Sequence, residues 1–421
     1  MTTTLPKHAA REHPASPPTP TPPPPRAKRH LPALDGLRGV AILGVLLFHT
    51  GHLSGGFLGV DLFFALSGYL ITDLLLREID ATGSVSLVAF WGRRVRRLVP
   101  ALVVMLALVA GAVWRFGTPD LLRSTLSDGP WTQADLVNWH LLAESASYWD
   151  QHDAPRVFEH LWSIAVEEQF YLVWPALLLG LAWWARRGGR RVERWAAAGA
   201  LLISAVSLVL MIALVDPHDP TRVYTGTDTR AFSLLLGAVI ATGPVRDALA
   251  RAVGRYPYGG ALAAVLASAI AVAWLLVSGT DSRWLYTGGL FAHSAAAALL
   301  IGLRVQAPHS VVATTLARLP LRWVGQISYS LYLWHWPVFV LLTPQRLHLT
   351  GWPWAAAVCA VSIAVAAASK YLVEDPIRFR AGWARGRAGL AVFLAVMAGL
   401  AALWWLLPVP GAPTIDITKL S

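Results

Sequence analysis

The sequence predicts an all-α integral membrane protein, a polytopic bundle of about ten or eleven transmembrane helices. Three observations carry that prediction. Of 421 residues, 55% are hydrophobic and only 14% charged, and the mean hydropathy is +0.51. Soluble domains carry about 25% charged residues, so this chain lacks the polar surface to cover a globule of its size. Apolar runs of about 20 residues, the length of a span, recur along most of the chain. Finally, the lone cysteine, Cys359, excludes a disulfide framework and a multi-cysteine metal site. No metal and no permanently bound cofactor is expected.

The first 30 residues are not membrane. Their core, Pro17 to Pro25, is seven prolines and two threonines, which cannot form helix and reads as a disordered, solvated tail. The apolar run that follows lacks a small-residue cleavage site and contains Arg38 and His49, so it is a retained helix rather than a signal peptide. A ruler of about 20 residues then gives eleven spans, near 33–52, 57–76, 97–114, 160–184, 196–215, 230–244, 258–278, 285–303, 324–342, 352–373 and 388–407. Residues 31–380 form the expected membrane domain. Residues 381–421 add one further helix and a short outer tail.

The excess of basic residues orients these spans. The net charge is +11, which by itself suggests a nucleic-acid partner. However, 26 of the 35 Lys and Arg fall in the tail and alternate loops, and 8 in the others, with Arg38 inside a span. That asymmetry places the N-terminus in the cytoplasm and the C-terminus outside, and leaves no nucleic-acid surface. Trp91, Trp114, Trp183, Trp184, Trp404 and Trp405 fall at span ends, as interfacial anchors do. The longest outer loop, 115–158, carries six acidic residues and is either a solvated connector or a lid over the outer mouth.

Charged groups inside spans are costly and mark candidate function. Arg38 and His49 are eleven residues apart, so both face one side of the first helix, about 16 Å apart along its axis. Asp35, one turn before Arg38, is placed to pair with it. The second span brings Asp61 in from outside, with Ser67 and Gly68 near mid-depth, Gly68 permitting close helix approach. The fourth enters from outside as His160-Leu-Trp-Ser-Ile-Ala-Val-Glu167-Glu168-Gln169, with the acids about 10 Å inside, level with His49. The ninth carries Ser328, Tyr329, Ser330, Tyr332 and His335, whose hydroxyls serve either as interhelical glue or as site groups. Asp61, Ser67, His160, Tyr332 and His335 are thus expected to line a polar outer chamber around His49, Glu167 and Glu168. On the opposite face, Arg93, Arg94, Arg96 and Arg97 precede the third span, either as a phosphate cradle or as a positive-inside stop.

This arrangement suits an anionic, phosphate-rich ligand below and acid–base chemistry above. Histidine is the natural base for a hydroxyl, with a carboxylate to fix its tautomer. No Gly-x-Ser-x-Gly elbow occurs, so direct transfer or an acyl-histidine is preferred to an acyl-serine.

Those residues closely resemble membrane-bound acyltransferase family 3, bacterial O-acyltransferases of surface polysaccharide, peptidoglycan or macrolide-type acceptors. The likeness rests on Arg38-x10-His49, Gly59 to Ile71, Arg94-x-x-Arg97-Leu-x-Pro100, His160 to Pro175, Thr227 to Arg230, Ile327 to Pro337 and Val373-Glu374-x-Pro376. The resemblance implies a bacterial plasma-membrane enzyme with acyl-CoA, acetyl-CoA above all, as cytoplasmic donor. It implies that Arg38, Arg94 and Arg97 bind the donor, and that His49 is the general base or transient acyl carrier. Glu167 or Glu168 then orients His49 or the acceptor, a carbohydrate or related natural product. Some members carry a large extracytoplasmic hydrolase-like domain after the last span. This chain stops 14 residues after position 407, so transfer is expected to finish within the membrane domain or with a partner. The rival reading is a transporter of glycan or lipid precursors that uses the same His and Glu as a proton relay. A third is a scaffold that binds partners through the Pro-rich tail.

Overall fold

The computed structural model describes residues 31–149, 156–188, 191–255, 258–306, 310–384 and 386–408. The Pro-rich tail, the residues beyond 408, and Asp150 and Asp153 of the segment 115–158 lie outside the described residues. Every described regular element is helical: α1 Pro32–His49, α2 Gly59–Thr82, α3 Leu87–Phe116, α4 Pro119–Gln133, α5 Val137–Ala143 and α6 Trp162–Arg187. These are followed by α7 Val192–Leu214, α8 Thr221–Thr225, α9 Thr227–Ala241, α10 Gly243–Arg255, α11 Gly259–Leu276 and α12 Gly289–Gln306. The last are α13 Val311–Leu316, α14 Leu319–Leu341, α15 Pro344–Leu347, α16 Gly351–Ser369 and α17 Gly386–Leu406. Two π-helical turns, Lys370–Glu374 and Pro376–Arg380, prolong α16.

Each of the eleven expected spans coincides with one of these helices. Nine are long and apolar enough to cross a membrane, and a tenth forms if α9 and α10 count as one span bent by 67°. The bend follows from the sequence between them. Thr242 is extended, and Pro244 removes a donor at the start of α10. The remaining span, α14, has 23 residues and is long enough to cross. Its Gln, Ser, Tyr and His residues lower its apolarity.

Two expectations change. The basic segment Arg93 to Arg97 is not a loop but part of the opening turns of the 30-residue α3, because Ser86 caps that helix by accepting from the Ala89 amide at 3.3 Å. The segment 115–158, expected as a connector or a lid, is neither bare connector nor simple lid. It contains α4 and α5, whose Leu122, Leu126, Val137 and Leu141 share an apolar core with α3, α14 and Trp404 of α17.

Close packing of α1 on α14 sets the site. A Cβ at Gly325 of α14 would lie 1.7 Å from the Asp35 carbonyl oxygen, and one at Gly39 only 2.2 Å from that of Leu321. Only glycine permits this approach. Gly68 plays the packing role expected of it, between α2 and α9, where a Cβ would meet the Leu234 carbonyl. Around this core, α7, α11 and α17 expose Leu202, Val209, Val265, Leu276, Leu390 and Leu394, an apolar belt suited to lipid.

Candidate active site

His49 closes the last turn of α1, and α14 presents His335 to it. The Nδ1 atom of His49 lies 3.1 Å from Nε2 of His335, and His335 Nδ1 lies 2.7 Å from the carbonyl of Tyr332, one turn back. The carbonyl can only accept, so His335 carries its proton on Nδ1 and its Nε2 accepts from His49 Nδ1–H. Nε2 of His49 is then the unprotonated, basic nitrogen. It faces the hydroxyl of Tyr148 at 3.4 Å. Burial pushes the Tyr148 hydroxyl well above its ordinary pKa, so it stands as the proton donor in this contact. The Trp336 ring packs on His49 at 4.8 Å, and its indole N–H donates to the Arg156 carbonyl, tying the outer segment to the site.

His160 is fully buried beside this pair, its ring 5.3 Å from that of His335 and its Nε2 3.3 Å from the Leu333 carbonyl. Tyr332 donates to the His160 carbonyl at 2.8 Å and meets Ser163 at 2.7 Å. The structure therefore brings His49, His335, His160 and Tyr332 together, as expected of the chamber. It gives His49 a histidine and a tyrosine as partners, not a carboxylate.

The two glutamates diverge, as adjacent helical positions must. Glu167 accepts from Ser67 at 2.9 Å and from Tyr171 at 3.1 Å, so Ser67 holds a carboxylate rather than standing alone in the chamber. Glu167 faces a small cavity of about 40 Å³ that also touches Arg38, Ser163, Ser328 and Tyr332. Glu168 faces a larger cavity of about 460 Å³, walled by Arg94, Leu102, Asp135, Tyr329 and Met397. Both cavities touch Ile164 and Tyr329. Asp135 joins α4 to α5 in a left-handed conformation (φ 54°), and its carbonyl accepts from Gln169 at 2.8 Å. Burial pushes its carboxyl up to about 7.

Asp61 does not face His49. It lies fully buried against Arg230 of α9 at 2.9 Å, and accepts from Ser233 and Ser294 at 2.9 Å each. Arg230 also lies over the ring of Tyr224, which itself touches the ring of Tyr148. Asp61 thus braces α2, α9 and α12 behind the site.

On the other side, Arg38 donates to Ser328 at 3.3 Å rather than to Asp35, and lies over Phe63. Arg94 stacks on Tyr171 at 4.5 Å. Arg97 lies within electrostatic reach of Arg94 and Arg38. The described residues contain no group of three or more His, Cys, Asp or Glu placed to hold a metal ion.

Sequence reasoning missed Tyr148, Arg230 and Asp135 as partners. Tyr148 sits in an irregular stretch with no periodicity to mark it. Arg230 stands at the first position of the expected span 230–244, and the signal that could have paired it is that a buried Asp61 demands a cation from some neighbouring helix.

A helical membrane bundle with a buried histidine pair and an arginine cluster has the makings of a group-transfer enzyme. Residues 31–371 match the family described as acyltransferase domain, and the chain belongs to that family. The peptidoglycan O-acetyltransferase OatA of Listeria monocytogenes is 35% identical over 358 residues, 84% of this chain and 56% of that protein. The putative peptidoglycan O-acetyltransferase YrhL of Bacillus subtilis is 37% identical over 357 residues, 83% and 55% of the two chains. The O-acetyltransferase OatA of Staphylococcus aureus NCTC 8325 is 36% identical over 318 residues, 75% and 51% respectively. The chain thus spans about half the length of these relatives. No solved structure matches it.

Proposed function

We propose that this protein is a membrane O-acyltransferase that moves an acyl group, acetyl by analogy with its relatives, from cytoplasmic acyl-CoA to a hydroxyl of a carbohydrate or related acceptor. The observation that carries this reading is the relay from the Tyr332 carbonyl through His335 and His49 to a hydroxyl. It leaves the His49 Nε2 lone pair aimed at an O–H, the geometry of a general base. His49 accepts the hydroxyl proton as that oxygen attacks the thioester carbonyl; the imidazolium then protonates the leaving thiolate. The hydroxyl that His49 faces is Tyr148's, so the acyl group passes to the acceptor either directly or through a Tyr148 ester.

Arg38, Arg94 and Arg97 supply the positive charge for the donor's phosphates. The 26-to-8 distribution of Lys and Arg supports a cytoplasmic N-terminus and donor entry from that side. Glu167 and Glu168 line the two cavities that also touch Arg38 and Arg94, which supports a place for them on the route of donor or acceptor. Purified protein in detergent with labelled acetyl-CoA tests the reading. Thioester consumption with transfer or hydrolysis supports it, whereas an intact thioester would favour a transporter using the same His and Glu groups.

A further inference from the structure

Arg97 has a third guanidinium within electrostatic reach besides Arg94 and Arg38, that of Arg378. Arg378 lies in the π-helical turn Pro376–Arg380, seven residues beyond the end of the family match at 371. π-Helical turns are rare and cluster at functional positions. This one packs against α3 and is held in place by its flanks. The buried carboxyl of Glu374 accepts from Ser330 of α14, and Lys370 pairs with Asp375 at 3.1 Å.

None of the four arginines forms an ion pair among the described residues. Arg38 is bonded to a serine, Arg94 lies on aromatic rings and Arg378 lies over Phe379. The nearest carboxylates only partly offset them. Glu167 is within electrostatic reach of Arg38 and Arg94, but is committed to Ser67 and Tyr171. Glu168 is within reach of Arg94 and Arg97. The four guanidiniums gather at the end of the span opposite Gly351 without an ion pair to any of these carboxylates, Glu374 and Asp375 beside Arg378 being held by Ser330 and Lys370. Such a concentration repels itself unless an anion of several charges occupies it.

Resting on the acyl-CoA reading above, we infer that Arg378 completes a polyphosphate site with Arg38, Arg94 and Arg97. In that site it binds the donor's 3′-phosphate, the group farthest from the thioester. Arg38 is on the helix that leads to His49, about 16 Å further along the axis, and takes the pantetheine end. Arg378, on the turn after the membrane span, takes the nucleotide end.

The test compares acetyl-CoA with acetyl-3′-dephospho-CoA in wild type, Arg378→Gln, Arg378→Lys and the exposed neighbour Arg380→Gln. Wild type should show a KM about tenfold lower for acetyl-CoA than for the dephospho analogue. Arg378→Gln should raise the acetyl-CoA KM about tenfold, leave the analogue's KM and kcat within twofold, and so erase the discrimination. Arg378→Lys should restore part of it, and Arg380→Gln should behave as wild type. Discrimination that survives Arg378→Gln in a protein of wild-type thermal stability would overturn the assignment. If wild type consumes neither thioester, the donor reading fails and takes this inference with it; retained use of both with equal KM removes the inference alone.

Discussion

His49 and His335 stand 286 positions apart in the chain, yet their ring nitrogens meet at 3.1 Å. Because His335 already donates to the Tyr332 carbonyl, the contact fixes His49 in the tautomer that keeps Nε2 basic. On the proposed reading His335 is a positioning residue. Its replacement by alanine should lower kcat for acyl transfer at least about tenfold, part of the about 10²–10⁴-fold that general acid–base catalysis contributes. His335→Gln, whose amide oxygen can accept from His49 Nδ1–H, should recover part of that loss. Equal inactivity of the two variants, both stably inserted, would show that His335 serves packing alone.

Tyr148 is the hydroxyl His49 faces, and Tyr148→Phe separates the two routes of transfer. On the ester route the variant should lose at least about tenfold in transfer, because the nucleophile is removed, whereas direct transfer should survive the change. Mass spectrometry of wild type incubated with labelled acetyl-CoA alone should then reveal whether Tyr148 gains an acetyl mass. A labelled Tyr148 supports the ester route, and full activity in the phenylalanine variant excludes any role for this side chain.

The helix contact that brings the two histidines together rests on Gly325 and Gly39. Gly325→Ala would drive a methyl into the Asp35 carbonyl and push α1 from α14. Overpacking of this kind costs about 1–3 kcal/mol. A lower Tm in detergent, together with reduced activity, is expected, and an unchanged Tm would argue against the close approach.

The Asp61–Arg230 pair is fully buried, so breaking it leaves the Asp61 charge buried with only the Ser233 and Ser294 hydroxyls to hold it. Arg230→Ala should destabilise the bundle by about 3–5 kcal/mol. Replacing both partners with apolar residues should cost less than that single change. If the double variant is the less stable of the two, the pair is not acting as a compensated buried charge.

Asp135 gives a pH signature. Its folded pKa, about 7, lies above the ordinary carboxylate value of 3.8. Between these values the folded protein holds a proton that the unfolded chain releases, so stability falls as pH rises through that window. Asp135→Asn keeps the left-handed backbone accessible and should flatten the Tm profile between about pH 4 and 7. An identical profile in the variant would contradict the raised value.

Much of the architecture was legible because the bilayer imposes a length on each span, and the eleven apolar runs all proved to be helices. The shared face of Arg38 and His49 followed from helical periodicity alone. What could not be read was which helices meet. Periodicity gives each residue a direction on its own helix, but pairing α1 with α14 depends on glycines whose neighbours are nearly 300 residues away. Asp61 was placed in the His49 chamber by depth, and depth says nothing about rotation toward Arg230. The first turns of α3 looked like loop because four arginines mask the start of its apolar stretch. The bend between α9 and α10 hid behind a single short apolar run.

The central claim is that His49 is the base for acyl transfer. It is tested most directly by His49→Ala, inserted and purified like wild type with the same Tm, and assayed with labelled acetyl-CoA and a hydroxyl acceptor. Transfer should fall by about 10²-fold or more, with binding of unacylated CoA preserved. Transfer within a few-fold of wild type would contradict that claim.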